Sequence, residues 1–217
     1  MPEFAKLRER MVQRQIEARG ITDPAILDAF RDVPREAFVA PSYSATAYED
    51  HPLPIEAGQT ISQPYIVALM IAAAGIKPGD KVLEVGAGSG YAAAVMSRIA
   101  REVIGIERQH DLVAVARERL KRLGYDNVRI VEGDGTRGCP SEAPFDAILA
   151  AASGSHIPKP LLGELAPGGR LVMPIGDPGW AQELVKVTKL PDGRITQESL
   201  GGVRFVPLIG EEGWSER

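Results

Sequence analysis

Three glycines at alternate positions, Gly86, Gly88 and Gly90, break an apolar run, Val82-Leu-Glu-Val85, just before an alanine-rich one. Glycine at such places lets the chain turn tightly and lets a ligand lie against bare backbone. A helix starting at about Tyr91 then offers its unpaired N–H groups to that ligand. Two acids follow later apolar runs. Glu107 ends Val103-Ile-Gly-Ile106, seventeen residues beyond Gly90, where a carboxylate can accept hydrogen bonds from both hydroxyls of a ribose. Asp134, between Gly133 and Gly135 after Val128-Arg-Ile-Val131, can reach an adenine amino group while bare backbone lets the ring approach. Any one of these acids alone reads as a solvated turn residue. Three signals in this order at successive strand ends read as a nucleoside-binding edge.

The spacing narrows the cofactor. A dinucleotide site has G-x-G-x-x-G, whose third glycine would fall on Tyr91; this chain instead has E-x-G-x-G-x-G from Glu84 to Gly90, the pattern of class I S-adenosylmethionine-dependent methyltransferases. A second constellation lies upstream. Thr60 and Ser62 stand just ahead of Pro64, where an apolar helix begins. Hydroxyls beside unpaired N–H groups suit a carboxylate, and the same residues serve equally well as ordinary helix caps.

The elements that position these residues follow from periodicity. Residues 2–19 carry Phe4, Leu7, Met11 and Ile16 among charges, a surface-helix pattern ending at Gly20. Asp23 and Pro24 restart a helix as N-cap and first turn, and Pro34 starts another short segment. Residues 40–63, with three prolines and little periodicity, read as a long functional loop. From Lys81 strands and helices alternate, which predicts a parallel sheet. Its helices are 91–99, 111–123 and a short one over 160–165, and its fourth and fifth strands are Phe145–Ala150 and Gly169–Ile175. Pro191-Asp-Gly-Arg194 then turns an antiparallel hairpin between 183–190 and 195–205. The expected fold is thus α/β, Rossmann-like, with a mostly parallel central sheet, an antiparallel C-terminal hairpin and helices on both faces. It forms a single domain over residues 1–217, with a helical and substrate-loop extension (1–80) ahead of a cofactor-binding core (81–217).

At 217 residues and a net charge of −4, with acids and bases interleaved, the chain lacks the broad basic field that nucleic acid requires. Arg117, Arg119, Lys121 and Arg122 read as a solvated helix end. The one cysteine, Cys139, excludes an intramolecular disulfide and a cysteine-rich metal site, and reads as a loop thiol; no metal is expected. No apolar run suits a signal peptide or approaches the roughly 18 residues of a membrane span, so a cytoplasmic protein without membrane contact is expected, and a monomer.

Pro52-Leu-Pro-Ile55, Gly58-Gln-Thr-Ile-Ser-Gln-Pro64 and the glycine loop together resemble the protein-L-isoaspartate (D-aspartate) O-methyltransferase family. So do Glu132-Gly-Asp-Gly135, Ala143-Pro-Phe-Asp146, Gly168-Gly-Arg-Leu-Val172 and Phe205-Val-Pro-Leu208, so the likeness runs over nearly the whole chain. It departs from the family's usual pattern at Glu56-Ala57, Ala87, Cys139 and the Ala150-Ala-Ala-Ser153 run.

The resemblance implies methyl transfer from S-adenosyl-L-methionine to the α-carboxylate of L-isoaspartyl, and also D-aspartyl, residues in damaged proteins and peptides. S-adenosyl-L-homocysteine is left, with an ester that initiates repair through a succinimide. It further implies that Ser62 is the active-site serine, with Thr60 in the same substrate and cofactor loop. Gly86 and Gly88 would cradle the cofactor, Glu107 would hold its ribose with Arg108 beside the adenosine edge, and Asp134 and Gly135 would hold its adenine. A carboxylate, with a reference pKa of about 4, needs no general base. His51 and His156 therefore read as surface-loop residues. An isoaspartyl α-carboxylate lies one methylene closer to its own backbone than a side-chain carboxylate does, so loop 52–63 and Phe205–Leu208 are the expected discriminators.

Overall fold

The computed structural model describes residues 2–216. The chain opens with α1 (Pro2–Met11), which passes through a π-helical turn at Val12–Ile16 and a 3-10 turn at Glu17–Arg19 to a left-handed Gly20. The wider turn follows from the sequence: Met11 and Ile16 are five residues apart, and this winding buries both with Val12. Asp23 caps α2 (Pro24–Asp32) by accepting the N–H of Ala25 at 2.9 Å.

Residues 40–63 are more ordered than their composition predicts. A 3-10 stretch (Pro41–Thr46) leads to a two-residue hairpin of β1 (Leu53–Pro54) and β2 (Thr60–Ile61), and α3 (Pro64–Ala74) follows directly. The hairpin turn needs left-handed backbone at Ala57 (φ 54°) and Gly58 (φ 66°).

Next come β3 (Lys81–Val85), α4 (Tyr91–Ser97), β4 (Glu102–Glu107), α5 (His110–Arg122), β5 (Val128–Glu132) and β6 (Phe145–Ala150). Helix α6 (Lys159–Gly163), β7 (Leu165–Ile175), β8 (Gln182–Lys189) and β9 (Ile195–Val203) complete the order. The seven-stranded sheet runs β5-β4-β3-β6-β7-β8-β9, with the first five strands parallel and the last two antiparallel. The fifth parallel strand begins earlier than its apolar run predicts: Leu165 already pairs with Phe145, and the chain bulges before Arg170 meets Ala147.

Both faces of the central strands β3, β4 and β6 are buried, with the period-two alternation of a pleated strand, while the edge strand β9 is largely exposed. Val82, Val103, Leu149 and Val172 face the N-terminal helices with α4 and α5, while Leu83, Ile104, Ile148 and Leu171 face Leu161 and Leu208. Cys139 lies on the loop between the Gly135–Arg137 turn and β6, as expected, but its side chain is buried against the second of these layers, and burial pushes its thiol pKa up.

Arg170 ties the sheet to α3. Its guanidinium donates to the carbonyls of Ala74 (2.6 Å) and Gly75 (2.8 Å) and pairs with Asp80 (2.9 Å), satisfying a helix C-terminus. Replacing it with methionine leaves those acceptors unpaired in a half-buried site. Arg170→Met should therefore cost about 2–3 kcal/mol of stability in urea unfolding, and a loss within about 0.5 kcal/mol would show that water replaces the arginine.

Candidate active site

Strand order reverses between β3 and β6, so the chain leaves these neighbours towards opposite sides and opens a cleft at their C-terminal ends. Gly86 and Gly88 turn away from β3 in left-handed conformations (φ 84° and 52°) that L side chains rarely adopt. They line the cleft together with Glu107, Arg108 and Gly135. The buried carboxylate of Glu107 accepts the N–H of Gly88 on one oxygen (3.0 Å) and that of Gln109 on the other (2.9 Å). Each oxygen keeps acceptor capacity for a further donor, as a pair of vicinal hydroxyls requires. Arg108 stands at the rim, its guanidinium 2.5 Å from the Glu216 carboxylate.

Asp134 makes contacts within the chain that its Gly-Asp-Gly setting does not predict. Its side chain is not part of the cleft wall. One oxygen takes the N–H (2.9 Å) and hydroxyl (2.7 Å) of Thr136, and the other takes the N–H of Glu211 (2.8 Å). The carboxylate therefore clamps the C-terminal tail. Gly135 is glycine for packing: a Cβ there would stand 2.5 Å from Val85 Cγ1. Both demands come from residues distant in sequence, so neither is visible in the Gly-Asp-Gly pattern.

Thr60 and Ser62 come together at the junction the cleft makes with two other hollows. Thr60 and Ala151 border the cleft, a cavity behind the glycine loop and an open groove; Ser62 borders the cavity and the groove. The groove's other wall is Gly202–Val206 with Ala181, so loop 52–63 and the segment after β9 do face each other across it. Among the described residues neither hydroxyl makes an intramolecular hydrogen bond, and the α3 N-cap, Gln63, has no side-chain cap bond. The hydroxyls are thus not spent on capping. They remain free to donate to an anion in the groove.

Neither His51 nor His156 lines these hollows. His51 is exposed and bonds to Glu49 and the Pro52 carbonyl, and His156 is exposed beside Ser155. The site holds donors for a carboxylate but no imidazole to serve as base.

Two further residues were hidden in the sequence. Glu84 is buried, with one oxygen lacking any partner, and it lines the cavity that Thr60 and Ser62 share. Burial, and then the negative charge of Glu107, push its carboxyl well above the ordinary range. An acid inside an otherwise apolar strand was the available signal. Arg119, read as solvated, is buried: it donates to the Ser89 carbonyl in the glycine loop and to Glu56 in the hairpin turn, both at 3.1 Å. That contact accounts for the acid in Glu56-Ala57.

The tail supplies the last wall. Val206–Ile209 line the cleft, held because Leu208 N–H (2.8 Å) and Trp214 Nε1–H (2.9 Å) both donate to the Ser153 carbonyl. Burial works to raise the Asp134 pKa, but the Glu211 N–H and the Thr136 hydroxyl and N–H outweigh it and hold the carboxyl below its ordinary range. A carboxyl so depressed stabilises the docked tail above its ordinary pKa, and that contribution is lost as pH falls through the lowered value. With Trp180→Phe leaving Trp214 as the sole tryptophan, its fluorescence should report a docked tail that persists through pH 4 and releases only below it. Asp134→Ala should release the tail at neutral pH. Release beginning above the ordinary carboxylate range would contradict the clamp.

Comparison with known proteins gives the same answer from the N-terminal helices through to the tail. The family described as Protein-L-isoaspartate(D-aspartate) O-methyltransferase (PCMT) matches residues 6–213. Protein-L-isoaspartate O-methyltransferase 2 of Pelobacter propionicus is 55% identical over 95% of this chain and 92% of its own length. A Methanoculleus marisnigri protein-L-isoaspartate O-methyltransferase is 52% identical over 95% of this chain and 93% of its own. Among solved structures, a protein-L-isoaspartate O-methyltransferase superposes with a TM-score of 0.86 at 32% identity, covering 94% of this chain and 66% of that one. A Plasmodium falciparum structure described as a protein-L-isoaspartate O-methyltransferase in complex with S-adenosyl-L-homocysteine gives 0.81 at 30% identity, covering 93% and 98%. With hairpin loop, glycine turn and tail wall all inside the matched span, the chain belongs to the protein-L-isoaspartate (D-aspartate) O-methyltransferase family.

Proposed function

We propose that this chain transfers the methyl group of S-adenosyl-L-methionine to the free α-carboxylate of L-isoaspartyl residues, and of D-aspartyl residues, in damaged proteins and peptides. The observation that carries this reading is the junction at Thr60, Ser62 and Ala151. There, free hydroxyls stand between a nucleoside-type cleft and an open groove.

The residues present fit the cofactor. Glu107 has acceptor capacity for two ribose hydroxyls, Gly86 and Gly88 leave bare backbone beside it, and Arg108 at the rim would lie beside the adenosine edge. Gly135 supports the adenine end directly, and Asp134 supports it through the tail that it holds. The unpartnered Glu84 oxygen suits an ammonium group. The bound cofactor supplies an electrophilic methyl on a sulfonium.

The chain's own contribution is orientation and the exclusion of water. Ser62 Oγ–H donates to one oxygen of the substrate carboxylate and Thr60 Oγ1–H steadies the same group, turning the other oxygen towards the cleft. No proton has to move, because the acceptor is already ionised, which agrees with a groove that offers no base. Loop 52–63 and Gly202–Val206 line opposite sides of the groove, where they would contact the substrate backbone beside the carboxylate. The ester formed is a better leaving group than the acid, so succinimide closure follows.

Among the described residues no helix is long and apolar enough to cross a membrane. A net charge of −4 gives no broad basic field for nucleic acid and supports protein substrates; a cytoplasmic location and a monomeric state belong to the same proposal.

Methyl-labelled cofactor with an isoaspartyl peptide tests the reading. Label released as methanol by mild base is expected, with none from the matching aspartyl peptide. Base-stable label would instead mean N- or C-methylation. In the same assay Ser62→Ala should lower kcat roughly 10- to 150-fold, the worth of one hydrogen bond to a charged group. Affinity for S-adenosyl-L-homocysteine should be unchanged in calorimetry; a collapse of that affinity would make Ser62 a structural residue.

A further inference from the structure

Arg35 is fully buried, and among the described residues no carboxylate lies within ion-pair distance of it. A lone buried cation is costly, and an apolar side chain of similar volume would fill the space more cheaply. What the guanidinium gives in return is two hydrogen bonds that tie together two parts of the 40–63 segment fifteen residues apart. Nε donates to the carbonyl of Ala47 at 2.7 Å, and Nη2 donates to the carbonyl of Ser62 at 2.8 Å. The same group sits 4.8 Å from the ring centroid of Tyr91, the first residue of α4 after the glycine loop. Tyr91 is itself wholly buried and lines the cavity behind that loop. One side chain thus touches the backbone of the residue with the free hydroxyl and the start of the helix that the glycine loop feeds.

We propose that Arg35 is a positioning residue for methyl transfer: it fixes Ser62 through its backbone carbonyl and registers the hydroxyl against the glycine loop. The proposal rests on the reading of Ser62 given above. Arginine suits the task because its planar fork reaches two carbonyls at once, whereas a lysine ammonium is a single point on a flexible stem. The segment concerned is short and lies between β2 and α3, so a small rotation about Ser62 would swing its hydroxyl away from the groove.

The test is a double-mutant cycle on the full chain with an isoaspartyl peptide, alongside calorimetry of S-adenosyl-L-homocysteine binding. Arg35→Lys keeps the charge but cannot span both carbonyls. It should lower kcat/KM for the peptide about tenfold or more while the S-adenosyl-L-homocysteine Kd moves less than about threefold. In a Ser62→Ala background the same substitution should cost less than about threefold, because the hydroxyl it positions is gone. Losses that multiply in the double variant, or Arg35→Lys at parental kcat/KM, overturn the proposal.

Arg35→Met removes the buried charge and keeps the packing. Parental turnover in that variant, or failure of both variants to fold, would make Arg35 a residue of the fold alone. Ser62→Ala at parental activity would instead overturn the reading of Ser62 itself, which separates the two failures.

Discussion

The divergence of β3 and β6 is the constraint on which the rest of the site depends. Two adjacent parallel strands send their continuations to opposite faces, and no side chain fills the gap that opens between them. Gly86 and Ala151 are the first residues beyond the two strands, and a Cβ on Gly86 would lie only 3.8 Å from that of Ala151. Small residues on both exits keep this gap open. Every other part of the site is arranged around it: Glu107 comes from the neighbouring strand, the hairpin covers one side and the tail covers the other.

The hairpin is a separate unit secured to that framework by buried arginines. Two residues per strand cannot hold a hairpin together in water. Arg119 ties its turn to the glycine loop through Glu56 and Ser89, while Arg35 ties its far end to the N-terminal segment. Charged groups are costly inside a protein, yet each of these arginines saturates acceptors that short irregular segments leave unpaired. The N-terminal helices therefore do more than cover one face of the sheet. They carry Arg35, whose guanidinium lies over the ring of Tyr91 on α4, and Phe30 and Phe38, whose rings pack edge-on against that same tyrosine.

What was legible in the sequence was local. Left-handed glycines, an acid at a strand end and an apolar period of two each act within a few residues, and Gly86, Gly88 and Glu107 stand where those patterns put them. The burial of Arg119, which reads as solvated, the burial of the loop residue Cys139 and the tail contact of Asp134 escaped the sequence for a common reason. Their surroundings are made by partners far along the chain: Glu211 for Asp134, Ser89 and Glu56 for Arg119, and the second core layer for Cys139. Order in residues 40–63 was hidden likewise, since it is imposed by buried Arg35 and by packing of Ala47 and Tyr48, not by periodicity. The free hydroxyls of Thr60 and Ser62 could not be told from caps until the α3 N-cap was seen to lack a side-chain bond.

The tail wall has one more consequence, which concerns thermodynamic linkage. The cleft is bounded by Gly58–Thr60 from early in the chain and by Val206–Ile209 from near its end, with the sheet's central strands between them. The hairpin has two residues in each strand and the tail is held by contacts to loops flanking β6, so neither is built into the seven-stranded sheet. A ligand that touches both binds only when both are closed, and its binding free energy then adds to the cost of opening either one. A ligand seated between them would therefore add its binding free energy to the contacts that already hold the hairpin and the tail as the rim of the cleft.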